Sequence, residues 1–425
     1  MACLHFCRNF VAVISDRQIN IYGKRQGEDD VEKKVLYRQE EEKEKEDDGD
    51  KKKETSLKDK KSDPHAPRGQ ILAAKFSPSG NLFACCDDEK CLRLWKTSSW
   101  ELLSQRSIQK RCTAITFSHR DEDIFVADKF GDVYRFSSKD SSHPGELILG
   151  HVSMLLDVII TPDDSFIITC ERDEKIRVSC LPNAYNIHGY CLGHTEFVSR
   201  CQLLPNHSHV LLSAGGDSTV RLWDYIGSSQ LTSIPINHES TIRKSGEHFT
   251  VTHLSCSKDG YVAIALLSEK VVIVYKMMEN SSELQITEFT KLEFGGQILY
   301  LSFDLSGYLW VIQGSPNDSV QVYHPTSDGI GSSELSRVHE LSEKWLSKAL
   351  QMMNEEWEFL KASLDVGRPL EFLHKKSYDN MADYMSKKEQ RVAEELVRKE
   401  KYEARQSRQA QRKRMKLEEK ESIQS

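Results

Sequence analysis

The sequence predicts an all-β protein, a seven-bladed β-propeller followed by a helical, basic C-terminal tail. Paired alternating apolar strands joined by a turn recur along the chain, and seven copies can be counted, enough to close a ring. From the second copy onward they lie 41 to 52 residues apart, close to the period of roughly 40 to 45 residues of a four-stranded blade. A polar sequence with helical periodicity follows the last copy.

The clearest copy spans residues 193–224, GHTEFVSRCQLLPNHSHVLLSAGGDSTVRLWD. It begins with Gly-His, contains two alternating strands and a Gly-Asp turn, and ends on Trp-Asp. This pattern resembles a WD repeat, so the predicted ring is a WD-repeat propeller. The position of Trp223 is filled in the other six copies by Tyr22, Trp95, Phe136, Ser179, Tyr275 and Tyr323.

A single blade cannot bury both of its faces, because one short sheet has no second layer. Radial stacking buries these faces, and closure into a ring leaves only short edges. We assign residues 1–27 to the strands of the first blade and to ring closure, and residues 64–330 to the remaining blades. The N-terminal run ACLHFCR is predicted to complete the last blade, which would make the first residues structural.

A highly charged segment interrupts the pattern after the first copy. Residues 28–63, through RQEEEKEKEDDGDKKKETSLKDKKSD, contain few apolar side chains and cannot bury enough surface to offset the entropy lost on ordering. We predict a disordered insertion, either a solvated spacer or an interaction tail. Residues 331–425 are predicted to form a helical region with an apolar stripe, then a basic tail whose end is disordered.

The composition argues against several classes of function. Eleven cysteines occur without CxxC pairs or metal-ligand spacing, which argues against a disulfide framework and a metal site. No secretory signal or membrane-spanning run is visible, so a reducing cytosolic or nuclear compartment is expected, with no membrane partner. Phosphate-binding loops and nucleophile motifs are also missing from the sequence. The expected role is partner recognition rather than catalysis.

Charged hairpins of the third and fourth copies contain the candidate binding residues. Lys129 in VADKFGD, with Lys175 and Arg177 in CERDEKIRVS, is predicted to form a basic strip on one face of the ring. In the alternative interpretation Arg177 is ordinary for the repeat, since Arg93 and Arg221 hold the same position. It would then face solvent without a partner.

One family is similar to several stretches of the chain. The resemblance is carried by GHVSMLLDVIITPDDSFIITCERDEKIRVSCLPNAYNIHGYCLGHTEFVSR, KRCTAITF and VADKFGDVYRF, and by YDNMADYMSKKEQR in the tail. These stretches resemble the non-catalytic WD-repeat subunit of the heterodimeric eukaryotic tRNA (guanine-7)-methyltransferase. The resemblance implies that a separate catalytic chain binds S-adenosylmethionine and forms 7-methylguanosine in the tRNA variable loop. This chain would hold no cofactor and would bind and stabilise the enzyme as a scaffold.

The resemblance also implies roles for particular residues. His194, Asp217 and Trp223 are expected to share a hydrogen-bonded network that belongs to the scaffold. Interface cations are expected to face acidic groups on the enzyme, where truncation of a desolvated pair costs about 2–5 kcal/mol. The expected interface residues are Lys129, Asp173, Lys175 and Arg177.

The C-terminal arm contains a second candidate site. Between Lys387 and Lys416 there are twelve Lys or Arg residues against five Glu. Weak, salt-sensitive contact of this arm with tRNA phosphates is expected. A run within it resembles a nuclear localisation signal, so the nucleus is the expected location, with the cytoplasm as a second compartment. The residues of this run are Arg412, Lys413, Arg414 and Lys416.

Two other classes of function are open on the sequence alone. Many WD-repeat rings are substrate receptors of cullin-type ubiquitin ligases, and these often carry Trp-Asp-x-Arg at the end of a repeat. Here Trp223 and Asp224 are followed by Tyr225 and Ile226, so the Arg is missing and this interpretation is weakened. A propeller hydrolase is the other class, and no recognisable site supports it.

Overall fold

The computed structural model describes residues 2–25, 29–38, 69–237, 248–280, 283–327, 333–364, 369–375 and 380–422. In the described chain, strands β1 to β28 form seven four-stranded antiparallel sheets, each built from four strands that are consecutive in sequence. The predicted all-β, seven-bladed propeller with a few C-terminal helices is confirmed. Residues 1–374 form one compact unit and residues 375–425 a second.

The blades follow one another in chain order. The strands of blades 1 to 4 are β1 Ala2–Phe6, β2 Phe10–Ser15, β3 Gln18–Lys24, β4 Val31–Arg38; β5 Ile71–Phe76, β6 Leu82–Asp87, β7 Cys91–Lys96, β8 Glu101–Ser107; β9 Cys112–Phe117, β10 Asp123–Asp128, β11 Asp132–Ser137, β12 Glu146–Gly150; β13 Leu155–Ile160, β14 Phe166–Glu171, β15 Ile176–Cys180 and β16 Ile187–Cys191. The strands of blades 5 to 7 are β17 Val198–Leu204, β18 His207–Gly215, β19 Thr219–Asp224, β20 Ser229–Pro235; β21 Val251–Cys256, β22 Tyr261–Leu266, β23 Val271–Asn280, β24 Glu283–Glu293; β25 Ile298–Phe303, β26 Leu309–Gln313, β27 Val320–Ser327 and β28 Ser333–Arg337.

The third strand of every blade carries the residue that marks the repeat. All seven of these positions, from Tyr22 to Tyr323, are buried there. Neighbouring blades pack face to face, as where Leu92 of blade 2 and Phe117 of blade 3 share one core. Full burial of such a side chain contributes on the order of 1.5–3 kcal/mol. Because successive strand residues point to opposite faces, each blade contributes to the cores on both of its sides.

The ring closes without the exchange of a strand. β1 pairs with β2 inside blade 1, and blade 7 has its own fourth strand in β28. The prediction that the N-terminal strand completes the last blade is therefore wrong, because the chain supplies four strands for every blade. Closure comes from side-chain packing, in which Leu4 and Val11 of blade 1 share a core with Trp310 and Val322 of blade 7. The N-terminal strand is nevertheless structural, since Leu4 is buried.

Two predicted boundaries differ from the structure. The insertion assigned to residues 28–63 begins later, because Val31–Arg38 pair with β3 as the outer strand of blade 1. Leu36 and Tyr37 pack on the core between blades 1 and 2, and this small apolar surface orders the strand. Ser333–Arg337 belong to blade 7 rather than to the helical region assigned from residue 331. Residues 39–63 lie outside the described residues, so disorder there stays a prediction.

Helices follow the last blade. They are α1 Lys344–Glu355, α2 Trp357–Lys361 and α3 Asn380–Ser422, with a 3-10 turn at Pro369–Phe372. None of the helices in the described chain combines the length and apolar character needed to cross a membrane.

Helix α1 lies over the seam between the last and first blades. It buries Trp345 and Met353 in the core shared by blades 7 and 1, which is the packing role expected for an apolar helical stripe. Directly after α1, the Glu356 carboxylate accepts hydrogen bonds from Tyr22 Oη at 3.0 Å and Lys33 Nζ at 2.5 Å. The helical segment therefore stabilises the contact between blades 7 and 1, where the ring closes.

Candidate docking surface

One face of the ring collects the turns that hold the predicted site residues. In a four-stranded meander, the turn between the second and third strands lies at the same edge as the loops that join neighbouring blades. Backbone hydrogen bonds connect the two: Lys129 N donates to Arg111 O at 3.1 Å, and Arg172 N donates to Met154 O at 2.9 Å. We call this side of the ring the upper face.

The turn of blade 4 exposes two of the predicted residues. Asp173 and Lys175 are both exposed between β14 and β15. Glu171 N donates to Lys175 O at 2.9 Å, and Glu174 has a left-handed φ of 70°. Glu171 itself is buried, and burial raises the pKa of its carboxyl against the opposing effect of Lys175 and Arg177. The charge in CERDEKIRVS is therefore concentrated in and around one tight turn.

Arg177 does not join the exposed strip. The residue is 8% exposed; its Nε donates to Ser179 Oγ at 2.9 Å and its Nη1 donates to Gly150 O at 3.0 Å. The expectation of a solvent-facing side chain without a partner is therefore wrong. Ser179, which stands where the other blades have an aromatic ring, supplies an acceptor for the guanidinium. Arg177 links β15 to the end of β12 in blade 3, close to the exposed turn.

The equivalent arginines of two other blades are also bonded within the ring. Arg93 forms an ion pair with buried Asp87 and lies over the Tyr37 ring at 4.4 Å. Arg221 donates from Nη1 to Gln230 Oε1 at 2.7 Å. Arginine at this position is therefore structural in each of these blades, with different partners every time.

The turn of blade 3 exposes Lys129 beside an aromatic ring. Phe130 is 57% exposed, and its ring centre lies 5.5 Å from Lys129 Nζ and 4.9 Å from Lys110 Nζ. Both distances fit a cation–π contact, worth about 0.5–1 kcal/mol at an exposed site. Asp128 Oδ1 accepts the Phe130 N–H at 2.8 Å. Phe130 was not among the predicted residues; the available signal was an aromatic residue in a turn, where Gly, Asn or Asp is usual.

Two aliphatic side chains extend this surface between the turns. The loop before blade 4 is bonded to the blade 3 turn, from His151 N to Gly131 O at 2.9 Å, and this brings the fully exposed Val152 beside that turn. The end of β16 pairs with the start of β15, so Leu192, 62% exposed, lies beside Lys175. Exposed apolar surface rimmed by polar groups marks interaction sites. We call this surface the blade 3–4 patch, formed by Lys110, Lys129, Phe130, Val152, Asp173, Lys175 and Leu192.

The clearest repeat holds the expected scaffold network. His194 bonds through Nδ1 to Asp217 Oδ2 at 2.8 Å and through Nε2 to Ser213 Oγ at 2.7 Å. Trp223 Nε1 donates to the same Ser213 Oγ at 2.8 Å. Ser213, which was not predicted, therefore links His194 to Trp223. Burial acts to raise the pKa of Asp217, but hydrogen bonding and charge from His194 outweigh it and lower the pKa to about 2. The hydrogen bonds of these polar groups therefore stabilise the fold of blade 5.

In the described chain, no group of three or more His, Cys, Asp and Glu side chains is arranged so that it could hold a metal ion. All eleven cysteines are free thiols. The residues of the predicted nuclear localisation signal, Arg412, Lys413, Arg414 and Lys416, lie within α3, and their side chains are outside the described part of the structure.

Comparison with known proteins assigns the ring to a family. The family model for the tRNA methyltransferase TRM82 WD40 domain matches residues 15–146 and 137–306. The chain belongs to this family. The matched residues include the whole blade 3–4 patch, so the patch is part of the TRM82 WD40 domain and not of an appended segment.

Relatives of the TRM82 WD40 chain span most of its length. The tRNA (guanine-N(7)-)-methyltransferase non-catalytic subunit WDR4 of Homo sapiens is 37% identical over 323 residues, which is 75% of this chain and 76% of that protein. The same subunit of Xenopus laevis is 38% identical over 330 residues, 77% of this chain and 81% of that protein. The subunit wuho of Culex quinquefasciatus is 29% identical over 351 residues, 80% and 79%.

A solved structure supports the fold alone. A chain of the mitotic checkpoint complex matches the TRM82 WD40 chain with a TM-score of 0.58 at 14% identity, covering 79% of this chain and 90% of that one.

Proposed function

We propose that this chain is the non-catalytic subunit of a tRNA (guanine-N7-)-methyltransferase, and that it binds and stabilises a separate catalytic chain. The observation that carries the proposal is the family match across the ring, together with relatives of that name over three quarters of the chain. The substrate-receptor alternative has no comparable support, since its Trp-Asp-x-Arg sequence is missing at Trp223.

The proposed complex transfers a methyl group from S-adenosylmethionine to N7 of a guanosine in the tRNA variable loop. S-adenosylmethionine and the reacting groups belong to the catalytic chain, and the ring supplies none of them. A partner that binds only the folded enzyme stabilises it by RT ln(1 + [L]/Kd), about 2.7 kcal/mol at a hundredfold excess over Kd. The ring therefore acts on the amount and the conformation of active enzyme.

The blade 3–4 patch is the proposed docking surface. Lys129, Asp173 and Lys175 present charges on tight turns, and Phe130 and Leu192 present apolar area beside them. Anchors that become fully desolvated carry most of the affinity of an interface, whereas rim charges set orientation and association rate. Turns that are already ordered lose little entropy on binding. In this proposal Arg177 contributes by holding the blade 4 turn in place.

The basic helix α3 is proposed to contact tRNA phosphates weakly and to direct nuclear import. Its excess of Lys and Arg between residues 387 and 416 is the supporting observation, because cations that neutralise phosphates give binding that weakens with salt. The proposed location is the nucleus, with the cytoplasm as a second compartment.

Co-purification with the catalytic chain of the same organism tests the proposal. The tagged chain is expected to recover a methyltransferase at one-to-one stoichiometry, identified by mass spectrometry. The complex is expected to form 7-methylguanosine in tRNA, measured by mass spectrometry of digested nucleosides, and the ring alone is expected to form none. Recovery of no methyltransferase, or methylation of tRNA by the isolated chain, would contradict the proposal.

A further inference from the structure

The chain returns to the upper face after the helical segment. Residues 369–374, which we call the strap, lie over loops of blades 4, 5 and 6. Leu373 is buried in a small cluster with Leu156 and Phe197. His374 Nε2 bonds to Thr250 Oγ1 at 2.8 Å, and its ring lies 5.0 Å from the Phe197 ring. The strap is therefore folded onto the ring by apolar and polar contacts.

The strap is also bonded to the turn of blade 4. Arg172, which precedes Asp173 in that turn, donates from Nε to Leu373 O in a long hydrogen bond of 3.5 Å. Its backbone N donates to Met154 O at 2.9 Å, and Met154 packs against the cluster that holds Leu373. The exposed turn and the strap thus share one set of contacts, although they are about 200 residues apart in sequence.

Phe372 is 77% exposed although its neighbour Leu373 is buried. It ends the 3-10 turn Pro369–Phe372, so its backbone is fixed on both sides. A fully exposed phenylalanine forgoes about 1.5–3 kcal/mol of burial free energy. A single exposed apolar residue is ordinary on a protein surface, whereas a group of them marks an interaction site.

The exposed apolar side chains of the upper face are concentrated around this point. In the described chain, five exposed large apolar residues lie on that face. One of the five, Leu364, lies over Gly314 in blade 7, away from the patch. The other four are Phe130 and Val152 at the blade 3 turn, and Leu192 and Phe372 on either side of the blade 4 turn.

We propose that the strap is part of the docking surface and that Phe372 is an apolar anchor for the catalytic methyltransferase chain, an inference that rests on the proposed function. The strap continues the blade 3–4 patch across the blade 4 turn, because Arg172 of that turn donates to Leu373 O. Aromatic anchors that are ordered before binding contribute strongly, because they bury a large area at small entropic cost. The surface for the enzyme is therefore built from two distant parts of the sequence.

Affinity measurements on the full-length chain test this inference. Phe372→Ser is expected to weaken binding to the catalytic chain about tenfold or more in isothermal titration calorimetry. The thermal unfolding temperature is expected to stay unchanged, because the side chain is exposed. The matched control is Tyr185→Ser, which removes an aromatic side chain that is 73% exposed on the opposite face and is expected to change affinity by less than about twofold.

A second variant separates the anchor from the strap that holds it. Leu373→Asp is expected to release residues 369–374 from the Leu156–Phe197 cluster, to raise their hydrogen exchange, and to weaken binding at least as much as Phe372→Ser. If Phe372→Ser and Leu373→Asp bind normally while Lys175→Glu binds weakly, the strap inference is wrong and the proposed function stands. If the unmodified chain binds no methyltransferase, the proposed function itself is wrong. A dimer of the isolated chain that Phe372→Ser dissociates would assign the residue to self-association and overturn the inference.

Discussion

Arg177 and Ser179 are bonded side chain to side chain inside the fourth blade, from Nε to Oγ at 2.9 Å. The other six blades have an aromatic residue at the position of Ser179, and in blade 2 Arg93 is buried beside such a residue, Trp95. In blade 4 the Ser179 hydroxyl is an acceptor for the guanidinium, and Arg177 also donates to Gly150 O at 3.0 Å. The blade beside the docking patch has thus replaced aromatic packing by a hydrogen-bonded link to blade 3.

Arg177→Leu is expected to destabilise the ring. It leaves Ser179 Oγ without its donor and removes one donor from Gly150 O, and unsatisfied buried polar groups cost about 1–3 kcal/mol each. Urea unfolding measures this loss. Arg135→Leu is the control, since it breaks a partly exposed ion pair with Glu146 that is worth at most about 1 kcal/mol. Weakened docking with unchanged stability would show instead that Arg177 contacts the partner directly.

The burial of Arg177 illustrates why part of the site could not be predicted. The charge and turn composition of the two hairpins predicted that Lys129, Asp173 and Lys175 are exposed, because charged residues in a short turn are rarely buried. Arg177 has the same charge, but its side chain is turned into the blade, where it donates to Ser179 Oγ and to Gly150 O. The strap was also beyond prediction, since the contact of Leu373 with the blade 4 turn has no periodic signal in the sequence.

Lys129→Glu combined with Lys175→Glu is expected to weaken binding of the catalytic chain about tenfold or more, mainly by slowing association. Both side chains are exposed, so the free energy of unfolding is expected to fall by about 1 kcal/mol or less, which includes the lost contact of Lys129 with the Phe130 ring. Surface plasmon resonance at two salt concentrations measures the rates. Lys96→Glu, an exposed lysine at the opposite end of a strand in blade 2, is the control. Equal association rates for the double variant and this control would remove the charged turns from the docking surface.

Trp345→Ala is expected to destabilise the ring by about 3–5 kcal/mol, the usual cost of truncating a buried tryptophan. The side chain lies in the core shared by blades 7 and 1, so hydrogen exchange should rise first in β1 and β27. Urea unfolding and exchange mass spectrometry measure both effects. Lys344→Ala is the neighbouring control, with a side chain that is 78% exposed. A uniform rise of exchange around the ring would show that α1 has no special role at the seam.

The blades were easier to predict from the sequence than the way in which blades 7 and 1 close the ring. Strand alternation and the buried residue of the third strand recur in every blade, because every blade meets the same two packing surfaces. The contact between blades 7 and 1 occurs only once in the ring, so the repeat pattern of the sequence does not predict it. β4 was also hidden, since VEKKVLYR resembles the charged segment that follows it, and only the contact of Leu36 and Tyr37 with the ring distinguishes it.

The stability of the ring is expected to fall as the pH drops below about 6.5, in part through His151. Burial, assisted by Arg177, lowers the pKa of His151 to about 4; its Nε2 is bonded to Thr169 Oγ1 at 2.9 Å. Between these two pKa values, His151 is protonated in the unfolded chain but not in the folded chain. Its contribution to stability is therefore complete above a pH of about 6.5 and is lost as the pH falls toward the pKa of the folded state. The slope is up to about 1.4 kcal/mol per pH unit. Urea unfolding of the unmodified chain and of His151→Gln measures the slope, which the substitution should reduce, whereas His119→Gln at an exposed site should leave it unchanged. Parallel pH profiles for the unmodified chain and His151→Gln would mean that His151 is protonated equally in both states.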